Sequence, residues 1–278
     1  MDHDHPAAPA LRVDALRKAF PLPRPLGAVL RAPWRREFKV VLDGCALELE
    51  RGEKVALIGP NGAGKTTLSR IVCGTALRDD GEVLIDGLEA GTLAARAKVA
   101  LARPDDPALH PRLTLREALR FHLRLYGVRD PAAVGAAGGE GALIAALGLG
   151  TLLARRCATL SAGERAKASL CKALLCRPSL LILDELSRVL DPSAAERLRA
   201  LLDARCAAGL TALLITHDLD EARRCRRVLA MSGGRIVASG PWAEVCAAAL
   251  ALFGLAAAPS AAPPDEARPL IANERSVS

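Results

Sequence analysis

The segment KVALIGPNGAGKTT, residues 54–67, decides the fold of this 278-residue chain. It begins with the apolar run VALI at residues 55–58, which predicts a strand buried on both faces of a parallel sheet. Residues 59–66 follow, fit the pattern G-x-x-x-x-G-K-[ST], and lead into a helix predicted from about Lys65. Such a pattern between a strand and a helix has the context that a phosphate-binding loop requires.

The loop contains the residue types that hold the phosphates of a nucleotide. Its glycines let the backbone wrap around phosphate oxygens, so that N–H groups and the helix N-terminus face negative charge. We expect Lys65 to reach the β- and γ-phosphates, the Thr66 hydroxyl to bind Mg²⁺, and Thr67 to hydrogen-bond the α-phosphate. The predicted cradle consists of Gly59, Pro60, Asn61, Gly62, Ala63, Gly64, Lys65, Thr66 and Thr67.

A second stretch, SLLILDELSRVLDP at residues 179–192, supplies acidic groups. The apolar run at residues 180–183 predicts another buried strand, which ends in Asp184 and Glu185. In open α/β sheets, ligands bind outside the carboxyl ends of the strands. We therefore expect Asp184 to hold Mg²⁺ and Glu185 to orient and polarise the attacking water. The alternative is two exposed acids in a strand–helix turn.

Composition argues against several other classes of protein. No signal peptide is indicated, and the longest nearly apolar segment, residues 245–258, is interrupted by Gly254 and is shorter than the roughly 20 residues of a membrane span. Eight cysteines without zinc-like spacing favour reduced, mostly buried thiols in a cytosolic protein. The net charge of +7 fits solvated faces, nucleic acid or an anionic membrane surface, but few aromatic residues are available to stack on bases. We expect a soluble chain that does not bind nucleic acid.

The pattern along the chain predicts an α/β fold with a helical insertion. Strand–turn–helix patterns at residues 11–92 and 160–250 predict one α/β core that contains the phosphate loop. Residues 93–159 show helical periodicity without a strand pattern and predict an inserted α-helical subdomain. Residues 1–10 and 255–278 are expected to be disordered tails.

Further motifs follow the loop, and each has an ordinary structural interpretation. In LSAGE, Ser161 and Glu164 fit a capping box at a helix start. In VLDP, Asp191 fits a helix N-cap with Pro192 at the first helical position. In LLITHD, His217 fits a turn after a strand. The stretch VALARPDDPALHPRLTLREAL then leads into the predicted helical insertion.

Behind a phosphate loop, the order and spacing of these motifs resemble the nucleotide-binding subunit of ATP-binding cassette (ABC) transporters, over about residues 11–245. The family's signature motif maps onto residues 160–164, its D-loop onto residues 190–191, and its switch histidine onto His217. The resemblance implies that residues 11–92 and 160–250 form a P-loop NTPase core of the RecA-like type with an antiparallel β edge. It implies ATP and Mg²⁺ as ligands. It also implies catalysis by Glu185, His217 and Lys65.

The resemblance further implies a dimer, in which two copies pack head to tail around two ATP molecules. The loop of one copy is then expected to hold the γ-phosphate. The other copy caps this phosphate with Ser161 and Gly163, which lie beside Glu164 and the helix N-terminus. His217 is expected to contact the γ-phosphate, and Asp191 to link the two sites. Opening and closing of the dimer would drive a separate transmembrane permease.

The sequence departs from the family pattern in three places. The family places a glutamine after the third strand, and Asp105, with Asp106 beside it, is the best match here. Asp105 can still address Mg²⁺ or its water, but it adds negative charge near the γ-phosphate, which suggests slower or more tightly coupled hydrolysis. The signature ends in Glu164 instead of Gln, and Leu186-Ser187 replaces the common Pro-Thr; we expect both changes to be mild.

The aromatic residue that stacks on adenine is left open by the sequence. LRKAF resembles the usual approach to this position and favours Phe20, while Trp34 and Phe38 remain alternatives.

The Pro-rich insertion at residues 21–33, with the arginines near it, and the stretch at residues 99–119 most resemble ATPases of ABC-2-type exporters. This resemblance implies an exporter subunit that is peripheral on the cytoplasmic face of the cell membrane. The subunit would form a homodimer or pair with another ATPase subunit. A soluble, non-transport ABC ATPase and an ATP-binding regulatory or assembly module with weak turnover are the alternatives.

Overall fold

A computed structural model describes residues 8–22, 37–127 and 139–255. The described strands are β1 (Leu11–Pro21), β2 (Phe38–Leu49), β3 (Lys54–Ile58), β4 (Asp80–Ile85), β5 (Leu88–Glu89), β6 (Val99–Ala102), β7 (Leu180–Asp184), β8 (Thr211–Ile215), β9 (Arg227–Ser232) and β10 (Arg235–Gly240). The described α-helices are α1 (Lys65–Val72), α2 (Leu93–Arg96), α3 (Leu115–Leu125), α4 (Gly139–Ala146), α5 (Ala162–Leu175), α6 (Pro192–Ala207), α7 (Leu219–Arg223) and α8 (Trp242–Leu252).

The larger of two sheets has the strand order β10-β9-β3-β8-β7-β6. Its strands run parallel from β9 to β6, and β10 pairs antiparallel with β9. Leu57 pairs with Ile215, and Ile215 pairs with Asp184, so that the ends of β3, β8 and β7 meet at one edge. The sequence predicted the buried strands that carry the loop and the acidic pair, and both predictions are confirmed.

The smaller sheet is antiparallel, with the order β2-β1-β4-β5, and it confirms the antiparallel part of the predicted fold. An apolar cluster between the two sheets surrounds α1 and includes Val55 and Leu57 of β3. The alternate residues Ala56 and Ile58 point to a second cluster, formed mainly with the helices. Because both faces of β3 are covered, nearly every residue of this strand is apolar.

Two boundary predictions need correction. The segment predicted to be a helical insertion, residues 93–159, contains β6, which pairs in parallel with β7 at the edge of the larger sheet. This strand has only four residues, VALA, and a short apolar run cannot be assigned to strand or helix by its periodicity. Ala10, predicted to lie in a tail, is fully buried, and its N–H donates to the carbonyl of Leu49.

Other predictions concern residues that lie outside the described ranges. These are residues 1–7, residues 256–278 and the alternative aromatic residue Trp34. Within the described part of the chain, no helix is both long enough and apolar enough to cross a membrane.

A buried polar anchor, formed by Asp106, Ser169 and Lys172, ties the loop after β6 to helix α5. The Asp106 carboxylate accepts hydrogen bonds from Ser169 Oγ at 2.6 Å and from Lys172 Nζ at 2.5 Å, while Ser169 Oγ accepts one from the N–H of Arg103 at 3.1 Å. Burial raises the pKa of Asp106, but the charge of Lys172 and the hydrogen bonds outweigh this effect and hold the pKa below its usual value. The side chains of Asp106 and Lys172 are only 5% and 9% exposed.

Because Asp106 neutralises a buried ammonium, we predict that Asp106→Asn lowers the free energy of unfolding by about 3–5 kcal/mol. Asp105→Asn is the matched control, since the Asp105 side chain is 86% exposed and lies 3.6 Å from Arg103. This control is expected to cost less than about 0.5 kcal/mol. Urea unfolding of the nucleotide-free protein measures both values, and equal losses would contradict the anchor.

Candidate functional site

The loop between β3 and α1 is held against both sheets so closely that two of its glycines have no room for a side chain. A Cβ on Gly59 would lie 2.2 Å from the carbonyl oxygen of Met231. Gly64 has φ +109°, and a Cβ there would lie 2.8 Å from Leu42 Cδ2. By contrast, a Cβ on Gly62 would meet no atom within 4 Å, so the loop is open on that side. The loop is therefore packed from behind and free in front, as a cradle for phosphates requires.

Lys65 lies across the mouth of this loop. Its Nζ donates to the carbonyl oxygens of Gly59 at 2.6 Å and Pro60 at 3.1 Å, and the residue is 6% exposed. Burial lowers the pKa of Lys65, while the carboxylates of Glu185 and Asp184 oppose that shift. The ammonium of Lys65 and the acidic pair thus act on each other across the edge of the sheet.

Asp184 ends β7 and is partly buried. Burial raises its pKa, and so do the negative charges of Glu185 and Asp105, while Arg103 and Lys65 lower it. Burial and the neighbouring negative charges therefore disfavour the ionised form of this carboxylate. A bound cation would favour the ionised form.

The residues that surround Asp184 fit Mg²⁺ as such a cation. The Asp184 carboxylate and the predicted Thr66 hydroxyl are hard oxygen donors, which Mg²⁺ prefers. Among the described residues, no group of three or more His, Cys, Asp or Glu side chains could hold a metal ion without other ligands. The remaining ligands would come from phosphate and water, which is the usual arrangement for Mg²⁺. Asp105, the third predicted ligand, is largely exposed and pairs loosely with Arg103.

Glu185 has a left-handed backbone conformation, and its side chain pairs with His217. Its φ of +51° is in the left-handed region, and its N–H donates to the carbonyl of Ile215 at 2.9 Å. His217 Nε2 lies 2.7 Å from Glu185 Oε1, and Arg188 lies 3.4 Å from the other carboxylate oxygen. Positive φ in a residue other than glycine costs free energy and is enriched at functional sites.

Beside the Glu185–His217 pair lies a cavity of about 280 Å³, lined by Glu185, Ser187, Arg188, Thr216, His217 and Asp218. The volume is enough for several water molecules. The geometry thus provides a carboxylate, an imidazole and room for water at the same sheet edge as the loop.

The predicted caps of α5 and α6 are confirmed. The N–H of Glu164 donates to Ser161 Oγ at 3.2 Å, and the N–H of Ser161 donates to a Glu164 carboxylate oxygen at 2.7 Å, which is a complete capping box. The Asp191 carboxylate accepts a hydrogen bond from the N–H of Ala194 at 2.8 Å, with Pro192 at the first turn of the helix.

The signature segment also packs against the residue that precedes the D-loop. A Cβ on Gly163 would lie 3.0 Å from the carbonyl oxygen of Val189, so a glycine allows this close packing. Among the described contacts, none joins Ser161 or Asp191 to the loop at residues 59–67. The structure therefore brings together Lys65, Asp184, Glu185 and His217, and leaves the signature residues apart from them.

Phe20 and Thr67 both line a cleft of about 660 Å³ next to α1. Phe20 is 41% exposed, and Lys18 Nζ lies 5.3 Å from the centre of its ring. Phe38, one of the alternatives, is 58% exposed and pairs with Pro21. Phe20 thus lies beside the loop helix, and its use as the adenine platform stays a prediction.

Three features of this region are not predicted from the sequence. Arg188, which lies beside Glu185, has no motif that singles it out. Asp106 is named above only as the neighbour of Asp105, because its partner Lys172 lies far away in the sequence. Phe253 contacts His217, and the only local signal was Gly254, which interrupts the apolar stretch that contains it.

Comparison with known proteins places this geometry in a family. A family model described as ABC transporter matches residues 42–188. The lipoprotein-releasing system ATP-binding protein LolD 1 of Rhodospirillum rubrum is 36% identical over 239 residues, which cover 83% of this chain and 98% of the relative. The Nod factor export ATP-binding protein I of Rhizobium etli is 34% identical over 210 residues, covering 73% of this chain and 64% of the relative.

An importer subunit is equally similar: the methionine import ATP-binding protein MetN of Caulobacter vibrioides is 34% identical over 212 residues, which cover 73% of this chain. The chain thus spans less than two thirds of the Nod factor and methionine relatives, at 64% and 63% of their lengths.

Solved structures that resemble this chain are also ATP-binding subunits of this family. One, an ATP-binding subunit of an ABC transporter, has a TM-score of 0.71 at 29% identity and covers 90% of this chain and 95% of the other. A dimeric ATP-binding cassette bound to ADP and phosphate has a TM-score of 0.67 over 83% of this chain, and at 21% identity it supports the fold alone. The P-loop NTPase fold is confirmed, and the chain belongs to the ABC transporter family, as an ATP-binding subunit that hydrolyses ATP.

Proposed function

We propose that this chain is the ATPase of an exporter, that it binds ATP between two copies, and that it drives a separate transmembrane permease from the cytoplasmic face of the membrane. Support for export comes from the resemblance to ABC-2-type exporters and from relatives named for lipoprotein release and Nod factor export. The equally similar methionine importer keeps an import role as the second candidate. The ABC ATPase family supports ATP hydrolysis and a permease partner in either case.

The observation that carries the catalytic proposal is the 2.7 Å contact between His217 Nε2 and Glu185 Oε1 next to the phosphate loop. Glu185 orients and polarises the attacking water, and His217 holds the carboxylate in place and contacts the γ-phosphate. Lys65 exchanges its contacts with the loop carbonyls for oxygens of the β- and γ-phosphates. This division of roles relies on positioning and electrostatic stabilisation, which dominate phosphoryl transfer.

Asp184 and Thr66 are the residues that would hold Mg²⁺, with Asp105 close enough to influence the charge of Asp184. When bound, Mg²⁺ neutralises charge on the phosphate oxygens. Phe20 provides the platform for adenine. The loop of residues 59–67 is packed closely at Gly59 and Gly64 but open at Gly62, so its front is free for the phosphates.

The dimer proposal follows from the separation between the signature residues and the loop. Among the described hydrogen bonds, none joins the signature residues Ser161, Gly163 and Glu164, or Asp191, to the loop of the same chain. The resemblance to ABC ATPases nevertheless implies that the signature segment acts at the nucleotide. A second copy in head-to-tail orientation supplies these residues. The helical part of residues 93–159, which precedes the signature segment and excludes β6, would then move relative to the two sheets as the dimer opens.

Replacing the proposed catalytic carboxylate tests the role of Glu185. We predict that Glu185→Gln lowers steady-state ATP turnover at least about 100-fold, because an amide cannot polarise water as a carboxylate does, while ATP binding is retained. ATP should then hold the variant as a dimer on a sizing column. Glu196→Gln, an exposed acid of α6, is the control and should hydrolyse ATP normally. A monomeric Glu185→Gln variant in saturating ATP would count against the sandwich.

The acid at position 105 gives a second test, because it raises the pKa of Asp184 through its negative charge. We predict that Asp105→Gln strengthens binding of Mg-ATP by roughly two- to fivefold at low salt, since one partly screened repulsion is removed. Titration calorimetry measures the change, and Asp80→Asn, an exposed residue of β4, is the control. An unchanged affinity at low salt would show that Asp105 does not face the phosphates.

The permease proposal is tested with the protein encoded next to this chain. A neighbouring reading frame with about six apolar spans should co-purify with the chain and raise its ATP turnover. If no such partner exists and the purified dimer turns over ATP rapidly, a soluble, non-transport ATPase is favoured. If ATP binds and both wild type and Glu185→Gln are inactive with the partner present, an assembly or regulatory module is favoured.

A further inference from the structure

The last described helix, α8, ends next to the candidate catalytic pair. Its buried residues Val245 and Ala249 belong to the apolar cluster on the helix-covered face of the larger sheet. At its start, the ring of Trp242 lies under the Arg223 guanidinium, 5.0 Å from the ring centre. Arg223 belongs to α7, which begins directly after the turn that contains His217. The helix is thus fixed at its first residue to the segment that carries the histidine.

The other end of α8 is fixed by its own C-cap. The N–H of Leu255 donates to the carbonyl of Leu250 at 2.9 Å, and the N–H of Gly254 donates to that of Ala251 at 3.1 Å. Gly254 has φ +68°. These two bonds and the left-handed glycine form a Schellman motif, which makes Phe253 the C-cap residue. The backbone of Phe253 is therefore held in one place, although it lies outside the regular helix.

From that position, the Phe253 ring makes an edge-to-face contact with the imidazole of His217. The ring centres are 6.2 Å apart and the planes are inclined by 86°. Phe253 is partly buried and packs against the same apolar cluster as α8. Edge-to-face geometry is one of the two arrangements that aromatic pairs prefer, so this contact favours the observed orientation of the imidazole. His217 is then held between Phe253 on one side and the Glu185 carboxylate on the other.

We propose that Phe253 is a positioning residue, which keeps the His217 imidazole turned toward Glu185. The inference rests on the role proposed for His217 and extends it to the C-terminal helix. Three independent contacts support it: the ring contact, the Schellman cap that fixes Phe253, and the stacking of Arg223 on Trp242 that fixes the start of the helix. In this arrangement α8 buttresses the catalytic centre from outside the nucleotide-binding motifs.

The contact itself can be measured without any enzymatic activity. The ring current of Phe253 should shift the imidazole proton signals of His217, which is one of five histidines and can be assigned by loss of its signal in His217→Gln. Phe253→Leu keeps an apolar side chain but removes the ring, so the shift should disappear. Leu252→Ala, a partly buried neighbour in the same cluster, is the matched control and should leave the His217 signal in place.

The consequence for catalysis is read from steady-state kinetics. Phe253→Leu should lower kcat about 3- to 10-fold with KM for ATP unchanged, which is the effect expected from losing one aromatic contact. Phe253→Tyr, which keeps the ring, should retain wild-type turnover, and so should Leu252→Ala. In a His217→Gln background, Phe253→Leu should cause no further loss, because the two side chains act as one unit.

The outcomes separate this inference from the proposed function. An unchanged His217 signal in Phe253→Leu overturns the contact, and an equal loss of kcat in Leu252→Ala overturns the positioning role in favour of general packing. A full further loss in the His217→Gln background overturns it as well. Normal turnover of His217→Gln with a shifted imidazole signal in Phe253→Leu would instead refute the role proposed for His217 while leaving the contact intact.

Discussion

Parallel pairing of β3, β8 and β7 brings groups of opposite charge to one edge of the sheet, and the rest of the site depends on it. The register places the end of β3 beside Ile215 and Ile215 beside Asp184. The loop with Lys65 and the acidic pair therefore emerge next to each other, although about 120 residues separate them in the sequence. No local feature of either segment could create this proximity without the sheet.

The same edge is partly buried, and this makes its charges interact strongly. Burial lowers the pKa of Lys65 and raises that of Asp184, so each group would become less charged if it stood alone. Each is opposed by its neighbours of opposite charge. A site with this balance is preorganised for a ligand that brings negative phosphates to the ammonium and a cation to the carboxylates.

Much of this arrangement could be predicted from the sequence, because the deciding features are local. The apolar runs before Gly59 and Asp184, the cap at Ser161 and the cap at Asp191 depend on short stretches with strong preferences. Features that depend on distant partners could not be predicted in the same way. The burial of Asp106 requires Lys172, the contact of Phe253 requires His217, and the four-residue strand β6 is defined only by its pairing with β7.

The Ser161 cap has a consequence for how a hydroxyl can serve two partners. A serine oxygen has lone pairs to accept with and one proton to donate. In the capping box the oxygen accepts from the Glu164 N–H, which leaves the proton unused by the helix. Under the proposed sandwich, that proton is available to a phosphate oxygen of the second copy while the helix keeps its cap. An aspartate could terminate the helix equally well, but it would present a repelling charge, so serine combines helix capping with anion binding in one side chain.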